Sequence, residues 1–151
     1  MALKVYEQSP QVVAMAKSWP IAAALIGGTQ AMRDAKEKFL PKWPNEESES
    51  YQTRLTTATL FPAFSRTLSV MAGKPFAKQL TFGEDVPNQI VEWCDDCDLE
   101  GRNLHTFASE MLAEVLGFGL AGVLVDYPRV GAIRTQAEEK AIGARPYLVR
   151  G

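Results

Sequence analysis

Leu104-His-Thr-Phe-Ala-Ser-Glu-Met-Leu-Ala-Glu-Val-Leu-Gly-Phe-Gly-Leu-Ala-Gly-Val-Leu-Val-Asp-Tyr-Pro128 is the stretch whose reading decides the fold. In its first half Leu104, Phe107, Met111, Leu112, Val115 and Leu116 recur at helical spacing and lay an apolar stripe along one side, with Asn103 placed to cap the start. Gly117, Gly119 and Gly122 then break the helix. Leu120 to Tyr127 follows as an apolar, β-branched run stopped by Pro128, which predicts a buried strand. A helix packed directly onto a strand is the architecture this segment specifies.

Beyond it, Arg134 to Ile142 reads as a surface helix and Arg145 to Arg150 as a second strand. A strand carrying Tyr147, Leu148 and Val149 needs a partner. Either it pairs with Leu120 to Tyr127 or it awaits further chain, and the expectation is the front portion of a longer protein, truncated at its C-terminus.

Upstream, Ser9-Pro10 opens a short helix over Gln11 to Ser18, and Pro20 to Ile26 forms a second, stopped by Gly27-Gly28. Thr29 can cap a charged segment from Gln30 to Leu40, which Pro41 ends. Asn45 is placed to cap a long helix to about Gly73, with Glu46, Glu47 and Glu49 in its first turns. Its stripe is Tyr51, Leu55, Ala58, Phe61, Phe64, Leu68 and Met71, and Pro62 should kink it or split it near Thr59 to Phe61. Gln79 to Phe82 suits a short strand, and Pro87 to Cys94 a short helix opened by Asp85. The fold class is α+β, mainly helical, with a long kinked helix and a second amphipathic helix on a small β-sheet. Two parts are expected: a broken helical segment over 1–41 and a helix-rich α+β portion over 42–151.

Apolar residues make up 46% and charged residues 23%, so the chain is built to fold. Sixteen Lys and Arg against eighteen Asp and Glu leave a net charge of −2, which supplies no pull toward a phosphate backbone. Pro20 to Ile26, seven residues, is the longest apolar run, short of the roughly 20 that a membrane helix needs. Met1 to Pro10 lacks the pattern of a secretory signal. No membrane contact, a cytoplasmic setting and reduced thiols are expected.

Cys94-Asp-Asp-Cys97 has C-x-x-C spacing and, with His105, offers three zinc ligands without a fourth. The aspartates between the thiols disfavour thiolates, against a redox role. Asp96-x-Asp98-x-Glu100-Gly101 starts like a calcium loop, but its twelfth position is Phe107, which has no carboxylate. His105, the one histidine, has no nucleophile elbow beside it. The Gly117, Gly119 and Gly122 string follows a helix and opens a strand, the reverse of a dinucleotide loop. Asp126 before Tyr-Pro is a turn-former. Arg54, Arg66, Lys74 and Lys78 make a modest basic strip, and Trp19, Trp43 and Phe76 are aromatics suited to core or interface. No catalytic residue, cofactor or metal site is expected. The alternative reading is a small metal-binding or regulatory domain using Cys94, Cys97 and His105.

Trp19, Gly27-Gly28, Phe39-Leu40-Pro41, Glu46-Glu47-Ser48-Glu49, Tyr51-x-x-Arg54, Arg66-Thr67-Leu68 and Met71-Ala-Gly73-Lys-Pro-Phe76 stand in an order that resembles the front half of the tailed-bacteriophage portal-like structural proteins. Asp96-x-Asp98-Leu-Glu-Gly101-Arg-Asn-Leu104 to Phe107, Gly117 to Pro128 and Arg145-Pro-Tyr147 continue the likeness, which spans Trp19 to Val149. The resemblance implies a non-enzymatic head-tail connector: a homo-oligomeric ring at the capsid vertex for DNA packaging and ejection. It further implies docking by terminase, capsid and head-completion proteins, double-stranded DNA passing without sequence specificity, and residence in the virion after assembly in the bacterial host cytoplasm. The family's long channel-lining helical region has no counterpart here.

Overall fold

A computed structural model describes residues 7–129, 131 and 135–151. The chain is mainly helical, with one small antiparallel sheet of two strands among the described residues. Helix α1 (Pro10–Ala16) starts where Ser9 Oγ accepts from the Val12 N–H at 3.3 Å, and Pro10 stands where no donor is needed. Helix α2 (Trp19–Asp34) runs through Gly27-Gly28 where a stop was expected, bending at Gly28 (φ 72°, ψ −154°). The two separate helices expected over Pro20 to Ile26 and Gln30 to Leu40 are therefore one kinked element, followed by a 3-10 turn at Lys36–Lys38.

Gly28 sits in backbone space that side-chain-bearing residues avoid, yet a Cβ there meets nothing within 4 Å. The cost of Gly28→Ala is thus backbone strain alone. A loss of about 1–3 kcal/mol in unfolding free energy is expected by urea titration, and an unchanged midpoint would mean the bend is absent in solution.

Pro62 splits the expected long helix outright. Helix α3 (Ser48–Thr57) ends as Ala58 turns extended (φ −57°, ψ 136°), and α4 (Ala63–Gly73) begins just after the proline. Asn45 does not cap α3, which follows Glu47. Tyr51 and Leu55 carry its buried face, and the Tyr51 hydroxyl donates to the Leu40 carbonyl at 3.2 Å.

Helix α5 (Asn88–Trp93) follows Pro87, not Asp85, and passes into a 3-10 turn at Cys94–Asp96. Residues 79–82 form no strand. Helix α6 (Leu104–Phe118) is capped as expected, with the Thr106 N–H donating to Asn103 Oδ1 at 2.9 Å. It continues through Gly117 and ends at Gly119 (φ 80°), the left-handed position that commonly closes a helix.

Strand β1 (Val123–Asp126), helix α7 (Gln136–Ile142) and strand β2 (Tyr147–Arg150) complete the chain. The strands pair antiparallel, Val123 opposite Arg150 and Asp126 opposite Tyr147. Arg134, expected to open the last helix, lies outside the described residues. The expectation that β1 is buried is wrong: all four of its residues are exposed. The apolar run supplies strand propensity, but nothing in its own unit covers it.

The chain sorts into two compact units. The first holds the described residues through Met71 together with Leu116–Gly119, and the second holds Ala72–Val115 and Leu120–Gly151. In the first, a Cβ at Gly117 would stand 3.1 Å from Ile26 Cδ1 and 3.5 Å from Leu68 Cδ2, so the glycine sets how closely these side chains approach. Buried apolar residues there are Ala22, Ala24, Tyr51 and Leu55; in the second unit they are Ala72, Cys97 and Phe107. No large side chain among the described residues is fully buried.

Candidate functional site

The residues with the richest chemistry gather in the second unit, around the turn that joins α5 to α6. Cys97 is its backbone hub. Its N–H donates to the Arg102 carbonyl at 2.8 Å, and its carbonyl accepts from the Leu148 N–H at 2.7 Å, which ties the turn to β2. Asp98 Oδ1 accepts from the N–H groups of Glu100 (2.9 Å) and Arg102 (3.2 Å), and Asp96 Oδ1 from Gly101 (2.8 Å). These carboxylates fold inward onto their own loop. Gly101 (φ 88°) and Leu99 (φ 62°) supply the left-handed steps that aim the amides at them.

The calcium-like pattern is thereby accounted for by chemistry other than metal binding, because the oxygens an ion would need hold backbone amides. Arg102 closes the turn, with Nε 3.1 Å from Asp98 Oδ2 and its terminal amines on Glu100 and Glu110. Asp98 Oδ2 accepts no well-aligned hydrogen bond despite that ion pair. Burial works to raise the Asp98 pKa, but the amides of Glu100 and Arg102 and the Arg102 charge outweigh it and hold the carboxyl below its ordinary range.

Both cysteines are free thiols. Burial, then the charge of Asp95, pushes the Cys94 thiol up, and burial, then the charge of Asp98, does the same for Cys97. Neither is poised as a nucleophile. His105 faces elsewhere: its Nδ1 accepts from the Leu80 N–H at 3.3 Å, and its ring meets Phe76 edge-on with centroids 5.4 Å apart. The Leu80 amide thus goes to a side chain and not to a ladder. Among the described residues no three His, Cys, Asp or Glu side chains are grouped to hold a metal ion.

Arg145 clamps the same turn from the strand side, donating to the Trp93 carbonyl at 3.0 Å, to Asp96 Oδ2 at 3.0 Å and to the Asp96 carbonyl. Arg150 reaches α6, with Nη1 2.6 Å from Glu110 Oε2 and Nε 3.0 Å from Glu114 Oε1. A groove of about 590 Å³ opens beside this clamp, lined by Gln89, Glu92, Trp93, Glu139 and Arg145. Among the described lining residues there is no thiol or hydroxyl nucleophile. Asp126 receives the Tyr147 hydroxyl at 3.0 Å and the Tyr127 N–H at 2.8 Å, a strand-end brace.

In the first unit Arg54 is committed locally. It meets Glu46 through two hydrogen bonds of 2.7 Å, donates to the Pro41 carbonyl at 3.0 Å and lies 5.4 Å from the centre of the Tyr51 ring. The four cations of the expected strip do not form one set: Arg54 and Arg66 belong to the first unit, Lys74 and Lys78 to the second. Arg54 also has its charge matched, which sequence spacing could not reveal because Glu46 precedes the helix.

That pairing makes a pH prediction. The Arg54 hydrogen bond outweighs burial and, helped by the Trp43 N–H, lowers the Glu46 pKa to about 2. A carboxyl held low stabilises the fold fully above its unfolded value, near about 4.3, and loses that contribution as pH falls toward its folded value. The melting temperature should fall on acidification from about pH 5 to about pH 2, and Glu46→Gln should flatten part of that slope. An identical slope in the variant would show the pair to be broken in solution.

Trp19 Nε1 donates to the Phe118 carbonyl at 2.9 Å, a core role; Trp43 is exposed, and Phe76 is half-buried against His105. The stretch Pro10–Asp34, α1 and α2 together, is long and apolar enough by length and composition to cross a membrane, which counting uninterrupted apolar residues had missed. Within the first unit α2 is also tied by polar contacts: Arg33 Nε donates to the Ala58 carbonyl at 2.9 Å, and Thr29 Oγ1 accepts from the Leu60 N–H at 3.1 Å. Thr29 therefore serves a distant loop and not the cap expected of it. No protein-family model matches the chain, and no curated protein does either.

Proposed function

We propose that this chain is a non-catalytic structural subunit of a phage portal or head-tail connector, assembling into a homo-oligomeric ring at the capsid vertex. The observation that carries the reading is the thin core. Among the described residues only small groups and a few larger ones are buried, while Trp43, Phe61, Val70, Met71, Leu124 and Val125 stand at least half exposed. Phe61 is 79% exposed. Apolar surface of this extent is what an assembly subunit closes against neighbours.

The colinear resemblance from Trp19 to Val149 supplies the type of assembly. In that setting terminase, capsid and head-completion proteins dock on the ring, and double-stranded DNA passes through it. A net charge of −2 suits a passage that lets phosphates slide. The virion vertex is its destination, after assembly in the host cytoplasm.

Light scattering behind a sizing column, at several concentrations and with and without chelator, tests this. A discrete mass of many chains, unchanged by chelator, is expected. A monomer that melts cooperatively and binds no hydrophobic dye would overturn the reading, and a chelator-dependent mass would favour a metal-binding domain on Cys94, Cys97 and His105.

A further inference from the structure

The two edges of the small sheet are treated differently. Gly122 and Gly151 exchange both hydrogen bonds, at 2.9 and 3.1 Å, and this fixes the parity of the ladder. In an antiparallel pair the mutually bonded positions alternate, so Leu124 and Asp126 turn their amides and carbonyls toward β2. Val123 and Val125 turn theirs outward. On the β2 side the same parity sends the Leu148 N–H outward, where the Cys97 carbonyl takes it at 2.7 Å. The β2 edge is thus covered, and the β1 edge is open.

The open edge also lacks the usual guards. It has no lysine, proline or bulge within Val123–Asp126, and Leu124 and Val125 are 62% and 64% exposed. Donors and acceptors at alternate residues, flanked by aliphatic side chains, match one kind of occupant, an extended strand.

We infer that the β1 edge pairs with β1 of a second copy of this chain, antiparallel across a two-fold axis at Leu124. The outward groups sit at 123 and 125, symmetric about 124, so each copy's Val123 faces Val125 of the other in a mutually bonded pair and four hydrogen bonds form. Leu124 meets its own counterpart in a non-bonded pair, where side chains come closest. The register is also compatible in charge. Asp126 falls opposite Gly122, not opposite another carboxylate, and Pro128, with no N–H, ends the ladder.

This contact goes beyond the ring reading, because a cyclic ring contains no two-fold of this kind. It joins two chains whether or not each belongs to a ring.

Mild oxidation of Leu124→Cys and, separately, Val125→Cys tests the register. Residues 124 approach within about 4.4–6.8 Å between Cα atoms, the range a disulfide spans, whereas two copies of residue 125 are displaced along the strands. A covalent dimer is expected for Leu124→Cys and not for Val125→Cys or the parent, whose own thiols serve as the control. Leu124→Lys, which sets like charges opposite each other at an exposed position, should weaken self-association by more than about tenfold in sedimentation equilibrium, with its circular dichroism unchanged. Equal cross-linking of both cysteine variants, or none, would overturn the proposal. Absence of large species with the Leu124→Cys dimer intact would instead count only against the ring.

Discussion

Phe107→Ala is expected to remove about 3–5 kcal/mol from the unfolding free energy of the second unit, the largest loss of any single truncation there. Phe107 is 3% exposed, and the other buried apolar residues of that unit are Ala72 and Cys97, both small. One aromatic ring therefore supplies most of the area that a large side chain can withdraw from water. A unit of this length holds roughly 4–11 kcal/mol at the usual stability per residue, so the variant should sit near its unfolding midpoint at 25 °C.

Helix propensity works in the opposite direction, since alanine favours α6 more than phenylalanine does. A loss of helical signal on warming would thus report lost packing and not a weakened helix. Phe107→Leu, which keeps much of the apolar volume, should cost less than half as much in the same denaturant titration. Equal losses for the two variants would mean that the ring is not the core of this unit.

Phe107 was visible in the sequence as part of the α6 stripe, and so was the Asn103 cap, because both signals lie within a few residues of the element they define. The split at Pro62 was legible for the same reason: proline acts on its own turn. Where the reading failed, a distant partner decided. Gly27-Gly28 carries the mark of a helix stop, yet α2 continues, with Trp19, Thr29 and Arg33 held by carbonyl and amide groups of Phe118, Leu60 and Ala58. Residues 79–82 have strand composition, but His105 takes the Leu80 amide. β1 reads as buried since apolar, β-branched residues are normally covered, and the sequence does not say which chain covers them. The turn at Cys97 was assembled from three correct fragments, the thiol pair, the acidic run and the closing strand. Their common purpose became clear only when Arg145 and Leu148, some fifty residues on, were placed against them.

That turn supplies the second large effect. Asp98→Ala should destabilise the second unit by about 2–4 kcal/mol, because it strands several partners at once. The N–H groups of Glu100 and Arg102 lose their acceptor, and the Arg102 guanidinium loses the less exposed of its carboxylates. Water can reach Arg102, which is about a third exposed, so the loss stays below that of a fully buried ion pair. Asp98→Asn keeps an amide oxygen that can serve as the Oδ1 acceptor and should cost no more than half as much.

The two variants also separate by pH. The Asp98 carboxyl is held below its ordinary value in the fold, so its contribution is complete above the unfolded value near about 3.9 and disappears as pH falls through the lower, folded one. The gap between parent and Asp98→Asn should accordingly be widest near neutral pH and close in acid, while the gap between Asp98→Asn and Asp98→Ala should persist across the range. If Asp98→Asn matched the parent at neutral pH, the charge of Asp98 would be idle and its amide contacts alone would hold the turn. A calcium addition that restored Asp98→Ala no better than magnesium or sodium would agree with carboxylates spent on backbone, while selective rescue of the parent's acid loss by calcium would return the loop to metal chemistry.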